Sequence, residues 1–122
     1  CHGAPGVVCR LAQAPRTAAW DALLLGAAEL TWHAGPLAKG ASLCHGTAGN
    51  AVACLKLWRR SGQPHWLERA RLMALHAAAQ VEAERQRHGQ GRHGLWTGDL
   101  GVACVLAQAI SGGDAFPSLD PT

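Results

Sequence analysis

Three glycine pairs, each spaced G-x-x-G and each followed by an apolar run, constrain the fold of this chain more than any other feature. The copies read CHGAPGVVCRLAQA, CHGTAGNAVACLKLW and LWTGDLGVACVLAQA, and their first glycines, Gly3, Gly46 and Gly98, lie 43 and 52 residues apart. Each run is long enough for about three helical turns. Periods of about 20–50 residues are typical of proteins built from stacked similar units. The sequence therefore predicts a repeat of helices.

The segments between the copies are longer and more polar, and they predict a second kind of helix. Residues 16–35 have apolar side chains at spacings of four, four and three, at Ala19, Leu23, Ala27 and Leu30. Residues 63–87 have a proline near the start and apolar positions at Leu67, Ala70, Leu75, Ala78 and Val81. These spacings favour one apolar face on each helix. No segment alternates like a strand. We expect an all-α fold with apolar inner and amphipathic outer helices, as in a ring or a solenoid.

Composition and charge limit the classes of function. The 122 residues carry a net charge of +3, with the 11 basic residues scattered along the chain, so we expect no nucleic-acid partner. No apolar run reaches the roughly 18 residues of a membrane span. The five cysteines are odd in number and widely spaced, which favours a reducing cytoplasm over a disulfide scaffold. The chain begins with Cys1 inside a motif, so we expect residues 1–122 to be a single C-terminal fragment of a longer domain.

Cys44 and His45 are the leading candidates for a metal site. Adjacent side chains diverge by about 100° on a helix, so both reach one atom only from a loop or a first helical turn. A catalytic zinc ion takes three protein ligands, and Cys1 lies at the equivalent point of the first repeat. Spacing alone leaves the alternative open that both cysteines are small buried residues and that His45 is a helix-start hydrogen-bonder.

The paired motifs resemble a known family. CHGAPGV followed by KGASLCHGTAGNA, then LWTGDLGVACVLAQAI and a closing FPSLD, is similar over essentially all 122 residues to the C-terminal part of the LanC-like family. That family comprises lanthionine cyclases and glutathione-binding proteins. The resemblance implies a toroid of inner and outer helices with one zinc ion, Zn²⁺, at its mouth. Carried over, the metal ligands are Cys1, Cys44 and His45, while His2 matches no ligand.

The resemblance also implies a chemistry and partners. It implies addition of a thiol, from a peptide cysteine or glutathione, to dehydroalanine or dehydrobutyrine. Lys39 matches a lysine that glutathione-using relatives place before the second Cys-His-Gly, and Arg87 is the nearest match to a substrate-binding arginine. Arg85 and Arg92 are rivals for that role. The acid–base histidine of bacterial cyclases falls upstream of this chain, so the catalytic residues are unknown, and the remainder of the toroid is itself an expected partner.

Several features leave alternatives to the enzyme. Many relatives have a serine and a glutamate where this chain has Gly94 and Thr97, so a role for those groups is open. The chain could instead belong to a module that binds zinc and a thiol without turnover, or be an inert truncated piece. The remaining cysteines, Cys9, Cys54 and Cys104, lie in apolar runs and are expected to be buried. Trp96 is expected at the mouth of the ring, because its position lines the mouth in the family.

Overall fold

The chain folds into helices joined by turns and loops. The computed structural model describes residues 2–117 and 120, and over these residues it contains no strand. The helices are α1 (Gly3–Leu11), α2 (Ala18–Ala34), α3 (Thr47–Ser61), α4 (Pro64–His88) and α5 (Asp99–Ser111). The all-α prediction is confirmed. Within the described residues, no helix is both long enough and apolar enough to cross a lipid bilayer.

The five helices form two layers with α3 at the centre. Helices α1, α3 and α5 lie side by side, α2 packs over α1 and α3, and α4 packs over α3 and α5. Helix α3 is therefore in contact with every other helix, and its residues from Ala51 to Leu57 are all buried. Such burial suits the largely apolar run after the second glycine pair, although it also encloses Lys56. This is the inner and outer arrangement of a partial toroid.

Ordinary end signals delimit the outer helices. The Thr17 hydroxyl oxygen accepts a hydrogen bond from the Trp20 amide and caps the start of α2. Pro64 opens α4, where its missing N–H costs nothing. Helix α4 ends at Gly89, whose φ of 72° is the left-handed conformation that glycine adopts without strain.

The inner helices α3 and α5 begin differently, because the preceding loop folds back across their first turn. The Thr47 amide donates to the Gly40 carbonyl (3.0 Å), and the Asp99 amide donates to the Arg92 carbonyl (2.7 Å). Each loop carbonyl thus satisfies an N–H at a helix start that has no partner inside the helix. The same arrangement recurs in both repeats.

This fold-back explains the spacing of the glycine pairs. A Cβ on Gly49 would lie 2.5 Å from the carbonyl oxygen of Leu43, and one on Gly101 would lie 2.2 Å from that of Leu95. In both cases the carbonyl belongs to the residue six positions earlier. The first glycines of these two pairs, Gly46 and Gly98, are equally crowded by the loop backbone, whereas a Cβ on Gly3 would meet nothing within 4 Å. The motif is therefore a steric requirement for laying the loop on the helix start.

The predicted buried face is wrong for α2 and partly right for α4, where Ala70 is buried and Leu67 and Val81 pack against the core. In α2 the buried residues are Leu24, Ala28 and Thr31, whereas Leu23 and Leu30 are 48% and 65% exposed. In α4 the buried positions are Trp66, Ala70, Met73, Ala74 and Ala77, and Leu75 is 63% exposed. Both helices are rich in alanine and leucine on more than one side. Packing against the inner layer, and not the spacing of apolar residues alone, selects the buried face.

A buried arginine joins the end of α3 to the α1–α2 loop. Arg60 is 8% exposed and donates hydrogen bonds to the carbonyl oxygens of Ala12, Ala14 and Pro15. It also pairs with the Asp21 carboxylate at 2.7 Å. With its charge paired and its donors occupied, the guanidinium is stabilised inside the protein and fixes the loop.

Because the loop backbone lies so close to the starts of the inner helices, replacing glycine by alanine should have opposite effects on stability at Gly101 and at Gly26. Gly101→Ala should lower the free energy of unfolding by about 1–3 kcal/mol, because the new methyl group has no space. Gly26→Ala is the control, since a Cβ at that α2 position meets nothing within 4 Å. It should raise stability by about 0.5–1 kcal/mol. Denaturant unfolding of both variants measures the difference, and a stabilised Gly101→Ala variant would contradict the steric account.

Candidate functional site

Cys44 and His45 lie in the turn that the fold-back places directly before α3. The Cys44 amide donates to the carbonyl oxygen of Trp96 in the third repeat (2.9 Å), and the His45 amide donates to the Ser42 hydroxyl (3.3 Å). The turn is thus fixed on one side by its own loop and on the other by the loop before α5. The sequence prediction that both side chains leave from a turn is confirmed.

The two side chains point toward each other. Cys44 Sγ lies 3.8 Å from His45 Nε2. Zinc binds sulfur at about 2.3 Å and imidazole nitrogen at about 2.0–2.1 Å, so two such ligands at a tetrahedral angle are separated by about 3.6 Å. The observed spacing fits two donors of one tetrahedral zinc site. Cys44 is half-buried and His45 is exposed, which leaves the pair accessible.

A third donor is not found in the part of the chain that the structure describes. Over residues 2–117 and 120, no three His, Cys, Asp or Glu side chains come together as a metal site requires. Cys1, the third predicted ligand, lies outside the described residues. Cys44 and His45, in the turn before α3, fit two of the three ligands of a Cys₂His site. The complete set of three ligands stays a prediction.

The pair opens onto a cavity of about 580 Å³, here called the central cavity. Helices α1 and α3, the loops before α3 and α5, and the segment after α5 form its wall, which includes Cys9, Asn50, Lys56, Trp96, Phe116 and Asp120. His2, which the resemblance leaves out of the ligand set, also lines it. Trp96 also lies at this wall.

Lys39 and the candidate arginines are placed differently. Lys39 is exposed and lines both the central cavity and a second cavity of about 580 Å³, which His45, Arg85 and Arg92 also line. Arg87 lines neither of these two cavities, and its guanidinium pairs with Glu84 on the same helix at 2.7 Å. Lys39 and His45 therefore line the same two cavities. Arg85 and Arg92 share the second cavity with them, whereas Arg87 does not.

Comparison with known proteins assigns the family. The family model described as "Lanthionine synthetase C-like protein" matches residues 1–120. The chain belongs to this family. The match covers the paired Cys-His-Gly motifs and all five helices of this LanC-like chain, and it confirms the resemblance on which the toroid and the fragment were predicted.

Two curated relatives are much longer than this chain. "Glutathione S-transferase LANCL1" of Danio rerio is 44% identical over 79 residues, which are 61% of this chain and 19% of that protein. "LanC-like protein GCL1" of Arabidopsis thaliana is 30% identical over 127 aligned residues, covering 98% of this chain and 29% of that protein. The LanC-like chain thus spans less than a third of the length of either relative.

A buried ion pair in the central cavity escaped the sequence analysis. Lys56 of α3 is 3% exposed and pairs with the Asp120 carboxylate, 64 residues along the chain. Burial works to raise the pKa of Asp120, but the hydrogen bonds from Lys56 and from the Phe116 amide, with the Lys56 charge, lower it overall. The one available signal was a lysine inside the apolar run AVACLKLW.

The other cysteines of the inner helices are packed among apolar residues. Cys54 is fully buried, and Cys9 and Cys104 are half-buried, so the predicted burial is confirmed for Cys54 and partly for the other two. Burial raises the pKa of Cys54 to about 12. It also raises the pKa of Cys9 to about 11, and the nearby Lys56 charge, which acts in the opposite direction, does not outweigh it.

These raised pKa values predict slow alkylation of Cys9 and Cys54. At pH 8 the thiolate fraction is about 0.1% at a pKa near 11 and about 0.01% near 12, against about a quarter for a thiol with an ordinary pKa of about 8.5. Iodoacetamide labelling read by peptide mass spectrometry, in buffer and in urea, tests this. Labelling of both thiols should be at least a hundredfold faster in urea, and equal rates would show that neither thiol is held in its neutral form.

Proposed function

We propose that this LanC-like chain supplies part of a zinc site that presents a thiol for addition to dehydroalanine or dehydrobutyrine. The observation that carries the proposal is the 3.8 Å spacing of Cys44 Sγ and His45 Nε2 at the wall of an open cavity. The name "Glutathione S-transferase" carried by the Danio rerio relative supports glutathione as the class of thiol. A peptide cysteine, as in lanthionine formation, is the other member of the same class.

The donor set suits thiol chemistry. Cys1, Cys44 and His45 would hold the metal, and a zinc ion bound there supplies a positive charge that keeps a bound thiol deprotonated near neutral pH. Two cysteine thiolates already balance the charge of the dication, so an additional substrate thiolate retains its electron density. This is the chemical advantage of a Cys₂His set over three histidines in this reaction.

Addition requires a proton as well as a nucleophile. The new bond joins the thiolate sulfur to the β-carbon of the dehydroamino acid, the alkene electron pair moves onto the carbonyl oxygen, and the α-carbon then takes a proton. The resemblance places the acid–base histidine that would deliver this proton upstream of Cys1. The described residues instead include cations that line the cavities at Cys44 and His45.

Lys39 is the cation that we assign to substrate binding. Its ammonium borders both cavities beside His45, where it can pair with a carboxylate of glutathione or with the developing enolate oxygen. Arg85 and Arg92 line the second cavity and are better placed than Arg87 to meet a second carboxylate. The part assigned to Arg87 by resemblance, like the cytoplasmic location, stays a prediction.

Zinc content tests the metal assignment. Elemental analysis of the full-length protein should give one zinc ion per chain, and Cys44→Ala should lower occupancy at least tenfold after dialysis against a weak chelator, because a ligand is lost. Cys54→Ala is the matched control, since it removes a buried thiol outside the cavity wall. Equal zinc in wild type and Cys44→Ala would remove Cys44 as a ligand.

The role of Lys39 is tested by steady-state kinetics with glutathione and a dehydroalanine-containing peptide. Lys39→Met should raise the KM for glutathione roughly tenfold, which is the effect of losing one charge-assisted hydrogen bond. The KM for a thiol without carboxylates should change little. Arg87→Met, which removes an exposed cation outside both cavities, is the control. Equal effects of the two variants would mean that Lys39 acts only through general charge.

A further inference from the structure

The segment after α5 forms part of the wall of the central cavity, and a buried charge on α3 helps to hold it there. Lys56 projects from the middle of α3 and is 3% exposed, so its ammonium requires a partner inside the protein. Asp120 is that partner among the described residues. Removing one member of a buried ion pair leaves the other uncompensated, which is costly. The pair therefore ties the end of the described chain to the central helix.

Asp120 has a second role within its own segment. Its carboxylate accepts a hydrogen bond from the Phe116 amide (2.8 Å), and its amide donates to the Phe116 carbonyl (3.1 Å). These two bonds join Asp120 to Phe116, and this hydrogen-bonded pair of residues is here called the C-terminal turn. The carboxylate that neutralises Lys56 is thus the same group that shapes the turn.

An aromatic contact connects the C-terminal turn to the turn that carries Cys44 and His45. The ring of Phe116 stacks on that of Trp96, with centroids 5.4 Å apart and planes inclined by 26°. The Trp96 carbonyl in turn accepts the hydrogen bond from the Cys44 amide. Such a stacked pair is worth about 0.5–1.5 kcal/mol beyond the area it buries. A continuous series of contacts therefore runs from Lys56 through Asp120, Phe116 and Trp96 to Cys44.

We propose that Lys56 and Asp120 are positioning residues, which hold the C-terminal turn against Trp96 and thereby fix Cys44 for its reaction. All of these side chains line the same cavity. The ion pair acts on the reactive centre through Phe116 and Trp96, without itself contacting the reacting atoms. The part of this inference that concerns catalysis rests on the proposed function, whereas the part that concerns the Cys44 turn does not.

Hydrogen exchange of the full-length protein tests the structural part directly. The Cys44 amide is protected by its bond to Trp96, so exchange in peptides covering residues 42–46 and 114–122 reports both ends of the series. Asp120→Asn should speed exchange about tenfold in both peptides, and Lys56→Met should do the same, because the Asp120 carboxylate, which is 22% exposed, then loses its partner on α3. Asp120→Glu, which keeps the carboxylate, should restore protection. Asp114→Asn, in the same segment but outside the series, should change neither peptide.

Kinetics test the catalytic part. Asp120→Asn and Lys56→Met should lower kcat 10–100-fold, the effect typical of losing an outer-shell positioning contact, with the KM for glutathione changed less than threefold. Asp120→Glu should recover most of the loss. Faster exchange at 114–122 with unchanged exchange at 42–46 overturns the proposal. If the wild type shows no thiol addition, the proposed function fails while the exchange result still decides the positioning role.

Discussion

The structure depends on the contact between a loop carbonyl and the first turn of an inner helix that carries glycine. At α3 and α5 this contact has the same geometry, and it leaves no space for a Cβ at Gly49 or Gly101. It directs the loop before α3 so that Cys44 and His45 leave from a turn, where their side chains converge. It also places the loop before α5 alongside, so that Trp96 receives the Cys44 amide. The glycine motif is thus the steric basis of the candidate metal site.

The two buried cations of α3, Lys56 and Arg60, specify which chain segments pack at particular points of an otherwise apolar core. Apolar contacts hold the two layers together but specify little about loops, because the hydrophobic effect is not directional. Arg60 fixes the α1–α2 loop at one end of α3, and Lys56 fixes the C-terminal turn nearer the site. Each cation thereby determines which chain segment covers the central helix. The segment held by Lys56 forms part of the wall of the central cavity.

The sequence predicted local features well and long-range pairings poorly. The repeat, the inner and outer helices and the Cys44–His45 turn follow from glycine spacing and adjacency, which are local. The buried face of α2 was missed and that of α4 was found only in part, because alanine-rich helices can present several apolar faces and only the neighbouring layer selects one. The Lys56–Asp120 pair joins residues 64 positions apart, and no local pattern specifies such a partner. The sequence could not decide either between Arg85 and Arg87 as the substrate-binding arginine. Their side chains leave the helix in different directions, and only the packing of α4 determines which of them faces the cavities.

The convergence of donors from separate repeats on one metal is the central claim, and zinc-edge X-ray absorption of the full-length protein tests it most directly. The account predicts two sulfur ligands at about 2.3 Å, with the remaining first-shell atoms nitrogen or oxygen at about 2.0–2.1 Å. In Cys44→Ala any zinc retained should show one sulfur ligand fewer. A first shell without sulfur in the wild type, or one unchanged by the substitution, would contradict the account.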